Sequence, residues 1–94
     1  MPARSVEFSP RAERQLARIE AYYLKEAGLS VADDAVDTIL AAAERLGSLP
    51  VIYRPAARAG LREYVLDRFP YILVYRVQPR RVQVVAIIHQ RQDR

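Results

Sequence analysis

The strongest constraint on the fold lies in the last third of the chain, where three strand-like runs follow one another closely. They are LREYVL (61–66), YILVYRV (71–77) and RVQVVAIIH (81–89), all rich in β-branched and aromatic residues. The connectors DRFP (67–70) and QPR (78–80) each carry a proline, which favours a turn. Because parallel neighbours need a crossover of a dozen residues or more, the runs predict an antiparallel β-meander.

Alternation along these runs predicts which side chains share a face of the sheet. In the middle run Tyr71, Leu73, Tyr75 and Val77 oppose Ile72, Val74 and Arg76, and in the last run Val82, Val84, Ala86 and Ile88 oppose Gln83, Val85, Ile87 and His89. Both faces carry apolar residues, so both should be covered. We expect the chain's own helices on one face and a partner on the other.

Two helices are predicted before the meander. Ser9 and Pro10 form a strong helix start, and Gly28 is a natural stop. Ser30 followed by Asp33 resembles a capping box that opens the second helix, and Gly47 would end it. The predicted core stripes are Ala12, Leu16, Ile19 and Tyr23 on the first helix and Ala35, Ile39, Ala42 and Leu46 on the second.

With a short strand at 5–8, the predicted order is β-α-α-β-β-β over one domain, 1–94. The fold class is α+β, with a helical hairpin packed on one face of a small antiparallel sheet and the first strand at one edge. The connection 49–60 shows no periodicity, and its length and its arginines Arg54 and Arg58 suggest a functional loop.

Composition excludes several classes of function. There is no cysteine and only one histidine, His89, so neither a disulfide framework, a metal centre nor a cofactor site is expected. No apolar run approaches a membrane span of about 18 residues. These features predict a cytoplasmic protein that does not enter a membrane.

The net charge of +4 is unevenly distributed. Residues 1–47 contain six basic and eight acidic side chains, a balance of −2, whereas 48–94 contain nine and three, a balance of +6. This asymmetry indicates an electropositive end of the sheet that attracts nucleic acid or an acidic protein segment.

Three segments carry a family resemblance: GLRE (60–63), FPYILVYRV (69–77) and IIHQRQD (87–93). With the leading strand and helical hairpin, they resemble the RelE/ParE superfamily of bacterial toxins. The closing H-x-R-x-D of His89, Arg91 and Asp93 is similar to the ParE branch. The resemblance implies a toxin that inhibits DNA gyrase and is neutralised by an acidic, ParD- or RelB-like antitoxin.

The RelE branch, which cleaves messenger RNA on the ribosome, is the alternative. By resemblance, one of its catalytic arginines falls at Ile72, a second matches Arg91, and a later tyrosine has no counterpart in this sequence. We therefore expect binding without catalysis. Direct nucleic-acid binding is expected only in the alternative, where His89, Arg91 and Arg62 are the candidate catalytic residues.

The candidate binding residues fall into two sets, and each has a simpler structural interpretation. Arg76 either binds an antitoxin carboxylate or pairs with an acidic residue within the sheet. The simpler interpretation of the hairpin arginines is that they are solvated, and that of His89 is a structural histidine. The simpler interpretation of the aromatic residues is that they pack in the core. The target-binding candidates are Arg91, His89, Arg80 and Arg81. The antitoxin-binding candidates are Arg58, Arg62, Tyr64, Phe69, Tyr71 and Arg76.

Overall fold

A computed structural model describes residues 4–48 and 60–91 of the chain. Its elements are β1 (Ser5–Phe8), α1 (Pro10–Ala27), α2 (Leu29–Ser48), β2 (Arg62–Val65), β3 (Tyr71–Val77) and β4 (Arg81–His89). Their order, β-α-α-β-β-β, confirms the predicted fold class. None of the helices in the described part of the chain combines the length and apolar character needed to cross a bilayer.

The four strands form one sheet in the order β1-β4-β3-β2. β3 pairs antiparallel with both β2 and β4, which confirms the meander. β1 lies at an edge, as predicted, but it pairs parallel with β4, so the sheet is mixed instead of wholly antiparallel. No tight turn joins β1 to β4, and therefore nothing in the local sequence forces these two strands to be antiparallel.

The helix ends show how little chain the helical hairpin uses. The Ser9 hydroxyl accepts a hydrogen bond from the Ala12 N–H at 3.0 Å, which confirms the predicted start of α1. Gly28, at φ +94°, is the sole link between the helices. Its carbonyl accepts the Ala32 N–H at 3.1 Å, so α2 begins at Leu29. The predicted capping box is therefore wrong, because Ser30 lies inside the helix instead of preceding it.

Gly47 does not end α2, contrary to the prediction, because the helix continues to Ser48. Instead, the lack of a side chain at Gly47 allows α2 to lie close to β1. A Cβ at this position would lie 2.5 Å from the Arg4 carbonyl oxygen and 2.9 Å from Val6 Cγ2. The Gly47 carbonyl also accepts the Arg4 N–H at 2.9 Å, so the end of α2 is fixed against the start of β1.

Both predicted helical stripes pack against one face of the sheet. The stripe positions are buried except Leu16 and Tyr23, which are half-buried against the same cluster. From the sheet, the cluster includes Tyr64, Leu66, Tyr71, Leu73, Tyr75, Val82, Val84 and Ile87. The predicted alternation of β3 is thereby confirmed for the tyrosines and Leu73.

A β-bulge in β4 overturns the predicted alternation of that strand. Val74 is paired with Ala86, but the next residue, Tyr75, is paired with Val84, so Val85 is the extra residue. From Ala86 onward the side chains therefore face the opposite way from the prediction. Ala86 and Ile88 join the second face of the sheet, whereas Ile87 turns toward the helices.

The bulge is held by polar groups of α1 and its cap. The Ser9 hydroxyl donates to the Val85 carbonyl at 2.9 Å. The Ile87 N–H donates to Gln15 Oε1 at 2.7 Å. Backbone groups that the irregular pairing would leave without strand partners are thus satisfied by the helix that packs on β4.

The second face of the sheet carries a small apolar cluster of Ile72, Val74, Ala86 and Ile88. These side chains are at most 9% exposed in the chain by itself. The expectation that a partner must cover this face is therefore wrong for its centre, which the chain already buries.

Candidate target-binding and antitoxin-binding surfaces

His89 and Arg91 lie together where β4 ends. The His89 ring meets the Tyr71 ring edge-on, with 5.6 Å between centroids. Its Nδ1 accepts the Arg91 backbone N–H at 3.1 Å. Arg91 is exposed, and this contact fixes the backbone from which its guanidinium projects.

Tyr71 continues the aromatic contacts toward α1. Its ring meets that of Tyr23 at 6.4 Å, and Tyr23 meets Phe69 at 5.4 Å, both edge-on. Burial, assisted by a hydrogen bond with Tyr23, raises the pKa of the Tyr71 phenol well above its usual value. The phenol is therefore a neutral hydrogen-bonding group, which fits a role in packing and not in proton transfer.

Phe69 has an unusual backbone conformation in the turn between β2 and β3. Its φ is +67°, a region that non-glycine residues rarely occupy. The Phe69 carbonyl accepts the Tyr71 N–H at 3.0 Å, and the Arg68 guanidinium lies 5.4 Å from the Phe69 ring. Arg68 also forms an ion pair with Asp34 of α2. The sequence analysis did not single out Arg68 or Asp34; no pattern relates positions so far apart.

Arg80 and Arg81 lie at the opposite end of β4 from His89. The nine residues of β4 separate the two ends by about 26 Å at 3.3 Å per residue. The Arg81 guanidinium pairs with Glu7 at 2.6 Å and hydrogen-bonds to Gln78, whereas the Arg80 side chain is exposed. The structure therefore does not bring the four target-binding candidates into one small site.

The antitoxin-binding candidates differ in how far their side chains are exposed to solvent. Tyr64 and Tyr71 are each 8% exposed and belong to the core, and Phe69 is half-buried against it. Arg62 is half-buried opposite Tyr75, with Tyr64 as its neighbour on the same side of β2. Arg76 is exposed and lies opposite Gln83. Arg54, Arg58 and Asp93 lie outside the described residues.

Of the three candidate ribonuclease residues, His89 and Arg91 lie together, whereas Arg62 is remote from them. Arg62 lies two strands from β4 and four residues along the sheet from His89, on the order of 16 Å between Cα positions. Ile72, at the position of the RelE arginine, is 2% exposed within the apolar cluster of the second face. Within residues 4–48 and 60–91, no group of three or more His, Asp or Glu is placed to bind a metal.

A cleft of about 490 Å³ lies between α2 and β1. Because β1 is at the edge of the sheet, one side of its backbone has no neighbour among the four strands that the structure describes. Leu40 of α2 is 43% exposed here. The lining comprises Arg4, Val6, Phe8, Leu40, Ala43, Glu44 and Ser48. The sequence analysis did not predict this surface.

Comparison with known proteins places the chain in a family. Residues 6–94 match the family model described as the ParE toxin of the type II toxin–antitoxin system parDE. Toxin RelE3 of Caulobacter vibrioides is 36% identical over 92 residues, covering 97% of this chain and 99% of that protein. Putative toxin Y4kP of Sinorhizobium fredii is 33% identical over 93 residues, covering 99% and 95%.

A solved structure gives the same result. The chromosomal ParDE toxin–antitoxin system from P. aeruginosa contains a chain that superimposes with a TM-score of 0.85 at 25% identity, covering 93% of this chain and 96% of that one. The strand order, the helical hairpin and the family match agree over nearly the whole length. The chain belongs to the ParE family of type II toxin–antitoxin toxins.

Proposed function

We propose that this toxin inhibits DNA gyrase by binding it, without cleaving a bond itself, and that a cognate antitoxin neutralises it. Family membership supports the toxin role, and the H-x-R-x-D ending supports the ParE activity over the RelE one. The name of the relative RelE3 keeps messenger RNA cleavage as the alternative.

The observation that carries the proposal is the incomplete set of groups for RNA cleavage. Such a reaction needs several groups around one phosphate, which activate the ribose hydroxyl and stabilise the developing charge. Here His89 and Arg91 lie together, but Arg62 stands on the order of 16 Å from His89 by strand geometry. Ile72 places an apolar side chain at the position of the expected arginine. A toxin that acts by binding needs neither group in place.

The gyrase contact is assigned to the end of β4 that carries Arg91. Its guanidinium is exposed, and its backbone is held by the His89 imidazole. The Gln90 N–H donates to the Pro70 carbonyl at 2.8 Å, which fixes the same segment to the β2–β3 turn. A cation on a fixed backbone loses little entropy on binding an acidic partner.

The antitoxin is proposed to cover the hairpin and the cleft between α2 and β1. An amphipathic segment would place apolar side chains against Val6, Phe8 and Leu40, and an acidic one suits a toxin of net charge +4. The ParDE assembly of the P. aeruginosa relative supports this kind of partner.

The test is a supercoiling assay with purified gyrase and the purified chain. We expect loss of supercoiling or trapped cleaved DNA, and Arg91→Ala should weaken the effect at least tenfold. Arg80→Ala removes the same charge at the far end of β4 and shows whether that end contributes. Messenger RNA cut in the ribosomal A site, with supercoiling untouched, would replace the proposal with the RelE alternative.

A further inference from the structure

A line of cations runs along the solvent face of α1. At 3.6 residues per turn, its members lie within about 80° of arc, and at 1.5 Å per residue they extend over about 21 Å. All are exposed, and the core stripe of the helix faces away from them. The α1 basic face consists of Arg11, Arg14, Arg18 and Lys25, with Tyr22, itself 57% exposed, between the last two.

The positive charges of the α1 basic face lower the intrinsic stability of the helix. Arg14 and Arg18 stand four residues apart, where like charges repel. Arg11 lies in the first turn, at the positive end of the helix dipole. None of the four cations forms an ion pair with a carboxylate in the part of the chain that the structure describes. At 100° per residue, Glu13 and Glu20 lie about 130–150° from the centre of the basic face, and Glu26, next to Lys25, lies about 90° from it.

The net charge of the N-terminal half does not reveal the α1 basic face. Residues 1–47 have a net charge of −2, which directs attention to the basic half that follows. Acidic residues of β1, of α2 and of other parts of α1 account for that balance, while the positive charge of α1 lies on one face.

We propose that the α1 basic face binds the phosphate backbone of duplex DNA. A straight array of about 21 Å matches roughly six base pairs of rise, and guanidinium groups bind phosphate oxygens well. Single-stranded nucleic acid is less suited, because its binders present several stacking aromatics and this face has only Tyr22. The contact is independent of base sequence. This proposal deepens the gyrase proposal: the face would hold the DNA on which gyrase acts while the end of β4 contacts the enzyme.

The test is fluorescence anisotropy of a labelled 20-base-pair duplex with the full purified chain, titrated across a range of NaCl concentrations and without gyrase. Each phosphate contact contributes about 0.9 to the slope of log K against log salt. Arg14→Gln should therefore lower the slope by about 0.9. The variant Arg11→Gln/Arg14→Gln/Arg18→Gln should lower it by about 2.7 and weaken binding at least tenfold at low salt.

Arg45→Gln is the matched control, since Arg45 is an exposed arginine of the other helix and its loss changes net charge equally. It should leave the slope unchanged, and circular dichroism should show all variants folded. The proposal is overturned if Arg14→Gln and Arg45→Gln weaken binding equally, or if single-stranded DNA or polyglutamate binds as tightly as the duplex. Duplex binding through this face without gyrase inhibition would refute only the gyrase proposal. Gyrase inhibition by a parent chain that does not bind the duplex would refute only this one.

Discussion

Replacement of Gly47 by alanine tests how closely β1 and α2 are joined. Two opposing effects decide the outcome. Alanine is favoured over glycine in a helix interior by about 1 kcal/mol. Against this, the new Cβ would lie 2.5 Å from the Arg4 carbonyl oxygen, a backbone atom that cannot rotate aside. Overpacking of this kind costs about 1–3 kcal/mol, and the short contact with backbone favours the upper end.

The Arg4 N–H bond to the Gly47 carbonyl, at 2.9 Å, must lengthen if β1 moves away to relieve the clash. We therefore expect Gly47→Ala to lower the free energy of unfolding by about 2 kcal/mol, measured by urea denaturation. Ser48→Ala, one residue along and exposed, is the control and should change stability by no more than about 0.5 kcal/mol. If Gly47→Ala proves as stable as the parent, or more stable, the close approach does not constrain the fold.

Three further outcomes are expected. Arg91→Ala should reduce growth inhibition on expression while leaving antitoxin affinity, measured by calorimetry, within about threefold; equal loss of both would make Arg91 structural. Gln15→Leu leaves the Ile87 N–H without its acceptor and should lower the free energy of unfolding, measured in urea, by about 1–3 kcal/mol. An unchanged free energy of unfolding would show that water replaces the lost amide oxygen. Because the pKa of Tyr71 is raised on folding, the stability linked to its neutral form is complete below pH 10 and is lost as the pH rises further. The free energy of unfolding, measured in urea between pH 9 and 11, should fall faster for the parent than for Tyr71→Phe, by at most about 1.4 kcal/mol per pH unit. Parallel curves for the two proteins would contradict this.

The elements that the sequence predicted well are those with a local cause. Ser9 and Pro10 define the start of α1, and proline-containing turns define the meander. The bulge at Val85 escaped prediction because residues 84–88 are all apolar, so alternation carries no information there. Gly47 looked like a helix stop because a glycine needed for close approach has the same local signature.

The sequence did not show how far apart the candidate site residues lie, because alternation and spacing along the chain do not give distances across the sheet. Arg80, Arg81, His89 and Arg91 all lie close in sequence, yet an extended strand of nine residues separates the pairs. The tyrosines were assigned to binding or to the core, and their burial favours the core. The α1 basic face follows from helical geometry alone and was passed over as an ordinary solvated surface, because neighbouring glutamates conceal it in a residue count.

The extra residue in β4 determines the side of the sheet on which the imidazole is displayed. If Val85 instead paired as a regular residue of the strand, strict alternation would continue through it and every later side chain of β4 would change face. His89 would then leave Tyr71 and lie on the opposite face, which carries Ile72. The bulge thus keeps the histidine away from the face on which the resemblance expects a ribonuclease arginine, with no change in any other residue.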